Sequence, residues 1–485
     1  MTPNINQRMV KNMNNTHIYN QERNWVLAIV LTSYLMIVLD ISIVITGLPN
    51  IQRGLGFSPV ALSWIQNAYL LCFGGFLLLG ARAGDLLGRK RMLLTGLALF
   101  TAASLAVGLA QTSAWLIGAR AVQGIGAAII APSVLALIST TFSEGKERTR
   151  ALAYYSMVAG AGSGLGLVLG GYFAEQISWR IGFLMNVPIG IALIASAIRI
   201  VRESELHTGD LDVFGALTST LGMVCLVFGI VHAADSGWTS PQTLASVASG
   251  VVLLGIFVSI GSRAGQPIMP LHLFASRQRS GAYVARMLFL GGMVSFFYFT
   301  TQYLQNVLGY TPFQAVLAFL PMSIMTFIAA MLVPGFTCRF GNARILSVAL
   351  ALTAIGLLWL SAAGDHARFA FDIALPMAVV GLGNGLSLGP LTVAGVAGVA
   401  DRDQGSASGV VNVFHQLGGS LGLGLLVVVF ASSNAQGLTG VHLLSHRISM
   451  ALTGAGIMLG FSLIVALFLV LPAERAALSV DTKIL

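Results

Sequence analysis

Charge is scarce in this chain, and the scarcity excludes more functions than any motif assigns. Of 485 residues only 9% are Asp, Glu, Lys or Arg, against 56% hydrophobic, where a soluble domain carries roughly a quarter charged residues. A water-soluble globular protein is therefore excluded, and the lipid bilayer is the expected solvent, with nearly every backbone group satisfied inside helices. Cysteine is nearly absent too. Cys72, Cys225 and Cys338 lie far apart, in or beside apolar runs; they read as packing residues, and neither a metal site nor a disulfide framework is expected. The chain has no Gly-x-x-x-x-Gly-Lys-Ser/Thr, no His-Glu-x-x-His and no paired intramembrane acids. That argues against an enzyme, and against ATP-driven transport by this chain. The net charge of +9 sits in short segments between apolar runs, not on one continuous face, so nucleic acid is not an expected partner.

What is abundant is the long uncharged run. Residues 54–81 and 92–119 contain no charged residue, and each is long enough to cross a bilayer as a helix. With charge clusters and Gly, Pro and Asn turns as boundaries, fourteen spans are predicted. The first six run at about 25–47, 61–80, 92–111, 114–138, 151–173 and 181–201. A pair follows at about 212–233 and 243–262, and the last six lie at about 282–302, 314–334, 343–363, 370–396, 406–431 and 449–472. The fold class is thus all-α and polytopic. Its parts are a tail (1–24), a six-helix bundle (25–201), a two-helix insert with flanking loops (202–280), a second six-helix bundle (281–472) and a tail (473–485). The first tail is polar and Asn-rich with no apolar core, so it is no cleaved leader and is expected to be disordered.

Orientation follows from the basic residues. With the N-terminus inside, twenty of the 26 Lys and Arg fall in cytoplasmic segments, including Lys146, Arg148, Arg150, Arg277 and Arg279. Only Arg53, Arg180, Arg368 and Arg447 fall outside, while Arg120 and Arg286 fall within spans. This asymmetry predicts both termini in the cytoplasm. The two six-helix blocks also echo each other: Gly88-Arg-Lys-Arg91 and Gly341-Asn-Ala-Arg344 each follow the second span of their block. Parallel repeats of this kind build transporters that rock around a central cavity.

Four segments carry the chemistry. The first is Asp85-Leu-Leu-Gly88-Arg89-Lys90-Arg91, a tight basic turn after Ala81-Arg-Ala-Gly. The second is Leu39-Asp40-Ile-Ser42, continuing to Thr46-Gly-Leu-Pro49. The third is Arg120-Ala-Val-Gln123-Gly124-Ile-Gly126, and the fourth is Gly162-Ser-Gly164-Leu-Gly166-Leu167-Val-Leu-Gly170-Gly171. In this order, after these spans, they resemble the major facilitator superfamily, in its fourteen-helix drug:proton antiporter branch of EmrB/QacA type. The likeness covers essentially the whole chain, with Ser42 where that branch has Thr, Gly47 for Ala, Ala81 for Gly, Leu86 for Arg and Leu167 for Pro. Trp179-Arg180 through Asn186-Val-Pro188 is similar to the branch's turn into its sixth helix.

The resemblance implies a transport cycle, and the residues supply reasons for their parts in it. Asp40 is the one carboxylate deep in a first-half span; keeping it ionised in a bilayer costs about 2.5–3.5 kcal/mol, so it is the natural proton or cationic-substrate site. Arg120 cannot give up its proton and is expected to act as a fixed positive charge that biases proton release from Asp40. Asp85, Gly88, Arg89, Lys90 and Arg91 form a conformational switch loop, with Asp85 accepting from an arginine or a helix N-terminus. Gly162, Gly166, Gly170 and Gly171 let helices approach and slide. Asn412, His415 and Gln416 share a face of the thirteenth span, and with Tyr69, Gln123, Gln302 and Asn384 they are candidates for a substrate cavity, as is Phe297. His415 is either a second proton site or a neutral hydrogen-bonding group. Arg286 is expected to snorkel or pair near the end of its helix.

The function expected is proton-coupled export of lipophilic or cationic amphipathic compounds by a monomer in a cell inner membrane. The proton gradient is its energy source, and it has no cofactor. One alternative is narrow export of a single metabolite, antibiotic or siderophore; another is a transporter-like receptor. With Asp40 the one central acid, neutral or monocationic lipophiles are favoured over dications.

Overall fold

A computed structural model describes residues 5–142, 145–203, 206, 211–263, 267, 269–400, 403–435 and 437–474. Among them no strand occurs. The first bundle is α1 (Ile5–Leu55), α2 (Trp64–Leu87), α3 (Arg89–Gly108), α4 (Ser113–Thr141), α5 (Lys146–Gln176) and α6 (Trp179–Ile200). Then come α7 (Val213–Ser236) and α8 (Pro241–Arg263). The second bundle is α9 (Arg277–Val307), α10 (Pro312–Phe340), α11 (Asn342–Ser361), α12 (Phe369–Gly395), α13 (Gln404–Ser432) and α14 (Gly440–Glu474).

Among the described residues, thirteen helices are long and apolar enough to cross a membrane. The fourteenth expected span is α5, a single helix of 31 residues. Two ends differ from the sequence reading. The helix begins at Ile5 where a disordered tail is expected, because no Gly or Pro interrupts the chain between Ile5 and Thr46 and the first span propagates backwards. Likewise α14 starts at Gly440 and not near 449, since Arg447 and His446 sit in a helical extension beyond the apolar stretch. Residues 475–485, most of the expected C-terminal tail, lie outside the described residues. The division inside the uncharged run 287–338 is made by turn chemistry alone. Gly309 has φ +72°, and Thr311 and Gln314 form a reciprocal capping box at the start of α10.

The repeat expected from the two Gly-x-x-Arg turns is built into the backbone. Gly88 (φ +103°) joins α2 to α3 and Gly341 (φ +87°) joins α10 to α11. At the first turn Glu203, just past α6, accepts from the backbone N–H of Lys90 (2.9 Å) and Arg91 (3.2 Å). At the second, Glu474 at the end of α14 accepts from Asn342 (2.9 Å) and Ala343 (2.7 Å). Each bundle thus ties its third helix to its last by a carboxylate on a helix N-terminus. The extra pair lies against α2 and α13: a Cβ on Gly75 would meet Thr220 Oγ1 at 2.3 Å, and one on Gly424 would meet Val231 at 3.5 Å.

The bundles meet most tightly at the face away from the basic turns. There Gln305 Nε2 donates to Thr46 O (3.1 Å), Tyr298 Oη to Pro59 O (3.2 Å), and Phe313 N to Glu175 Oε2 (3.0 Å). Toward the basic face they part around a cavity of about 2730 Å³ whose mouth includes Arg82, Asp85, Arg89, His272 and Asp403. One face is shut and the other open.

Candidate functional site

The first bundle encloses a charged cluster. Asp40 on α1, Gln123 and Arg120 on α4, Ser104 on α3 and Asn186 on α6 all have zero solvent exposure. Arg120 donates to Asp40 Oδ2 through Nη1 (2.5 Å), to Gln123 Oε1 (2.7 Å), and through Nε to Ile65 O (3.1 Å). The other carboxylate oxygen, Oδ1, accepts from Gln123 Nε2 (2.7 Å) and Asn186 Nδ2 (3.0 Å), and Gln123 Nε2 also reaches Ser104 Oγ (2.8 Å). The guanidinium lies over the Tyr69 ring at 4.2 Å, which adds a cation–π attraction. This convergence depends on small residues. Any Cβ on Gly124 would sit 2.4 Å from Tyr69 O, and one on Gly126 would sit 2.8 Å from Phe100 N, so α4 lies close enough to α2 and α3 for its polar groups to reach them.

Glycines on α5 do the same for α1. Cβ atoms on Gly162, Gly166 and Gly170 would meet Leu35, Ser42 and Thr46 at 2.8, 2.7 and 2.4 Å. Gly171 faces the other bundle, at 2.7 Å from Val316 on α10. The stripe therefore sets α5 on the helix that carries Asp40 and on the second bundle at the closed face. No kink from proline is present at Leu167, and the helix runs through it.

The structure sorts the candidate cavity residues. Asn384, Asn412, His415, Gln416 and Phe297 line the cavity. Tyr69, Gln123 and Gln302 do not: all three are 2% exposed or less, turned into helix contacts. Nor does Asp40 reach the cavity. Its side chain points at α4, while its neighbours Val38, Ile41, Ser42 and Ile45 form the cavity wall. A role for Asp40 in direct contact with substrate does not fit this conformation, because one helix face holds the acid and another holds the wall. Arg120 does not snorkel, being fully enclosed, and neither does Arg286, which is 6% exposed and held by Thr392 and His415. Among the described residues no group of His, Cys, Asp or Glu converges as a metal site.

The basic turn after α2 is held by an internal ion pair. Asp85 is paired with Arg89 four residues on, and Arg89 also donates to Ala81 O (3.2 Å). Lys90 Nζ reaches Ile198 O (2.8 Å). Sequence reasoning missed Asn186, Ser104, Glu203 and Glu474. A signal existed for the two glutamates, which occupy matching places after the last helix of each block; for Ser104, a single hydroxyl in an apolar run, there was none.

Two helical bundles with matching turns, shut against each other at one face and parted around a cavity at the other, define a multi-pass membrane transporter of small molecules. The chain belongs to the Major Facilitator Superfamily, whose family model matches residues 30–423. It is 36% identical over 414 residues to the cephamycin export protein CmcT of Amycolatopsis lactamdurans, covering 84% of this chain and 85% of that one. It is 34% identical to the puromycin resistance protein pur8 of Streptomyces alboniger, over 95% and 92% of the two chains. The tetracenomycin C resistance and export protein of Streptomyces glaucescens is 32% identical over 84% and 76%. Among solved structures, tetrameric PepTSo2 superposes with a TM-score of 0.64 at 19% identity, covering 94% of this chain and 99% of that one; this likeness concerns the fold alone.

Proposed function

We propose that the chain is a proton-coupled antiporter that exports amphipathic compounds from the cytoplasm by alternating access. It sits in a cell inner membrane with both termini and the Arg89–Arg91 turn inside, and it works as a monomer without a cofactor. The observation that carries the reading is the enclosed Asp40–Arg120 pair. In this conformation Asp40 is an acceptor only, facing donors on Arg120, Gln123 and Asn186. A proton on either oxygen would meet a donor, not an acceptor, and would leave the guanidinium uncompensated. Breaking a buried pair from one side costs about 3–5 kcal/mol, so protonation favours a state in which α1 and α4 have shifted. Because the opposite face of α1 is cavity wall and rides on the α5 glycines, that shift reaches the substrate. Proton binding and the open face are thereby linked as two states of one equilibrium.

The export direction is supported by relatives that carry the names of export proteins. The cavity opens toward the basic face, which the positive-inside rule assigns to the cytoplasm, and its walls are largely apolar, with amides, His415 and Arg286 among them and charged residues at the mouth. A narrower substrate range has one observation in its favour: relatives carry the names of single antibiotics, cephamycin, puromycin and tetracenomycin C. In everted vesicles energised to an acidic interior, adding puromycin or tetracenomycin C should release protons, read as recovery of acridine fluorescence. No recovery with any amphipathic antibiotic of a broad panel, against vesicles lacking the chain, would refute the proposal.

A further inference from the structure

The second bundle buries a cation that no carboxylate among the described residues neutralises. Arg286 lies nine residues into α9, roughly 13 Å along the helix axis from its start, and is 6% exposed. Its Nη1 donates to Thr392 Oγ1 (2.8 Å) and its Nη2 to His415 Nδ1 (3.2 Å), while Nε is buried with no hydrogen-bond partner. Among the described residues no acid lies within ion-pair distance of it. From 281 to 400 the sequence contains only Asp365 and Asp372, and these sit beyond the end of α11, beside His442 and Arg368.

The hydrogen-bond directions around Arg286 are fixed. Thr392 gives its own proton to Leu388 O (2.8 Å), so it can only accept from the guanidinium. An arginine can only donate, so His415 Nδ1 must accept, and the ring's one proton sits on Nε2. The arrangement therefore offers donors without acceptors: the guanidinium hydrogens not given to Thr392 or His415, and His415 Nε2–H. All three side chains line the cavity, unlike Asp40 and Arg120. Phe289, Leu290 and Met293, on the same helix, give that wall an apolar surface. An uncompensated cation away from bulk water costs several kcal/mol, and a planar, two-oxygen anion matching the guanidinium fork removes that cost.

We infer that Arg286, set by Thr392 and His415, binds the carboxylate of an amphipathic acid. The inference rests on the export reading and deepens it, since it extends the substrate class from neutral and cationic lipophiles to organic acids. Here the substrate's anion meets a fixed cation in one bundle while the proton is held in the other.

The test is binding of tritiated 1-naphthaleneacetate and of its methyl ester to the purified full chain in phosphatidylcholine nanodiscs. The acid should bind about tenfold or more tightly than the ester, the effect of one charge-assisted contact. Arg286→Gln should bring the two to parity by weakening the acid and leaving the ester unchanged. Arg286→Lys, which keeps the charge but not the fork, should retain part of the preference, and Thr392→Val should reduce it severalfold. Unchanged ester binding reports an intact cavity in each variant; should Arg286→Gln lose the ester as well, Arg286→Lys and Thr392→Val decide. Equal binding of acid and ester to the wild type, or a preference that survives Arg286→Gln, overturns the proposal. Loss of the preference in phosphatidylglycerol nanodiscs would assign the site to a lipid phosphate and overturn it too, while an unchanged preference there supports it. The assay needs no gradient. Preference for the acid without proton-coupled flux in everted vesicles would therefore sink the export reading and leave the anion site standing.

Discussion

Among the described residues each half of this transporter buries one arginine, and the two are treated in opposite ways. Arg120 is matched by Asp40, the amide oxygen of Gln123 and the carbonyl of Ile65, has zero exposure and faces no cavity. Arg286 has a hydroxyl, a neutral imidazole and no acid, and it faces the cavity. A charge neutralised inside the protein is out of reach of a ligand in the cavity. A charge left open to the cavity waits for a partner from outside. The two bundles share a fold and matching turns, yet each sets its buried arginine among different partners.

Removing the guanidinium should separate the two sites most sharply. Arg120→Gln leaves Asp40 enclosed without its cation and should cost about 3–5 kcal/mol, seen as a large drop in the thermal midpoint of detergent-purified protein. Asp40→Asn with Arg120→Gln should recover most of that loss without recovering transport. If Arg120→Gln is as stable as wild type, the enclosed pair is not what holds α1 to α4.

A second change bears on how the coupled half moves. Gly166→Val would drive a branched side chain into Ser42 and the backbone of Leu39, costing about 1–3 kcal/mol by overpacking and slowing transport more than binding. The same substitution at Gly164, where a Cβ meets nothing, should be silent in stability; equal effects at the two sites would show that the stripe is not a contact.

The two turns should behave alike where the two arginines do not. Glu203→Gln and Glu474→Gln each weaken a carboxylate on a helix N-terminus and should each cost about 1 kcal/mol by chemical unfolding. A large effect at one and none at the other would break the repeat. The smallest change in stability is expected at Arg286. Arg286→Gln removes an uncompensated charge and should leave the unfolding midpoint unchanged or slightly raised. A loss as large as that of Arg120→Gln would mean that Arg286 has a structural partner.

Much of this was legible in the sequence because lipid imposes strict rules on composition. Uncharged runs and basic turns marked the helices, and the isolated acid at Asp40 and base at Arg120 stood out as costly exceptions. Their mutual contact was legible only through the family resemblance, since 80 residues separate them. What could not be read was which way each side chain turns. Tyr69, Gln123 and Gln302 are polar residues in apolar helices just as Asn384 and Asn412 are, and only helix packing decides that the first three face neighbours and the last two face the cavity. Arg286 read as snorkelling or pairing near a helix end, because periodicity does not reveal that α12 and α13 supply its partners.

The most direct test of the coupling claim is Asp40→Asn reconstituted in proteoliposomes and assayed two ways. Asparagine keeps one oxygen for Arg120 but cannot take up and release a proton. The account predicts that this variant still exchanges labelled for unlabelled neutral substrate across the membrane, yet fails to accumulate substrate when a pH gradient is imposed. Accumulation against a gradient at the wild-type rate would contradict it and place the coupling proton elsewhere.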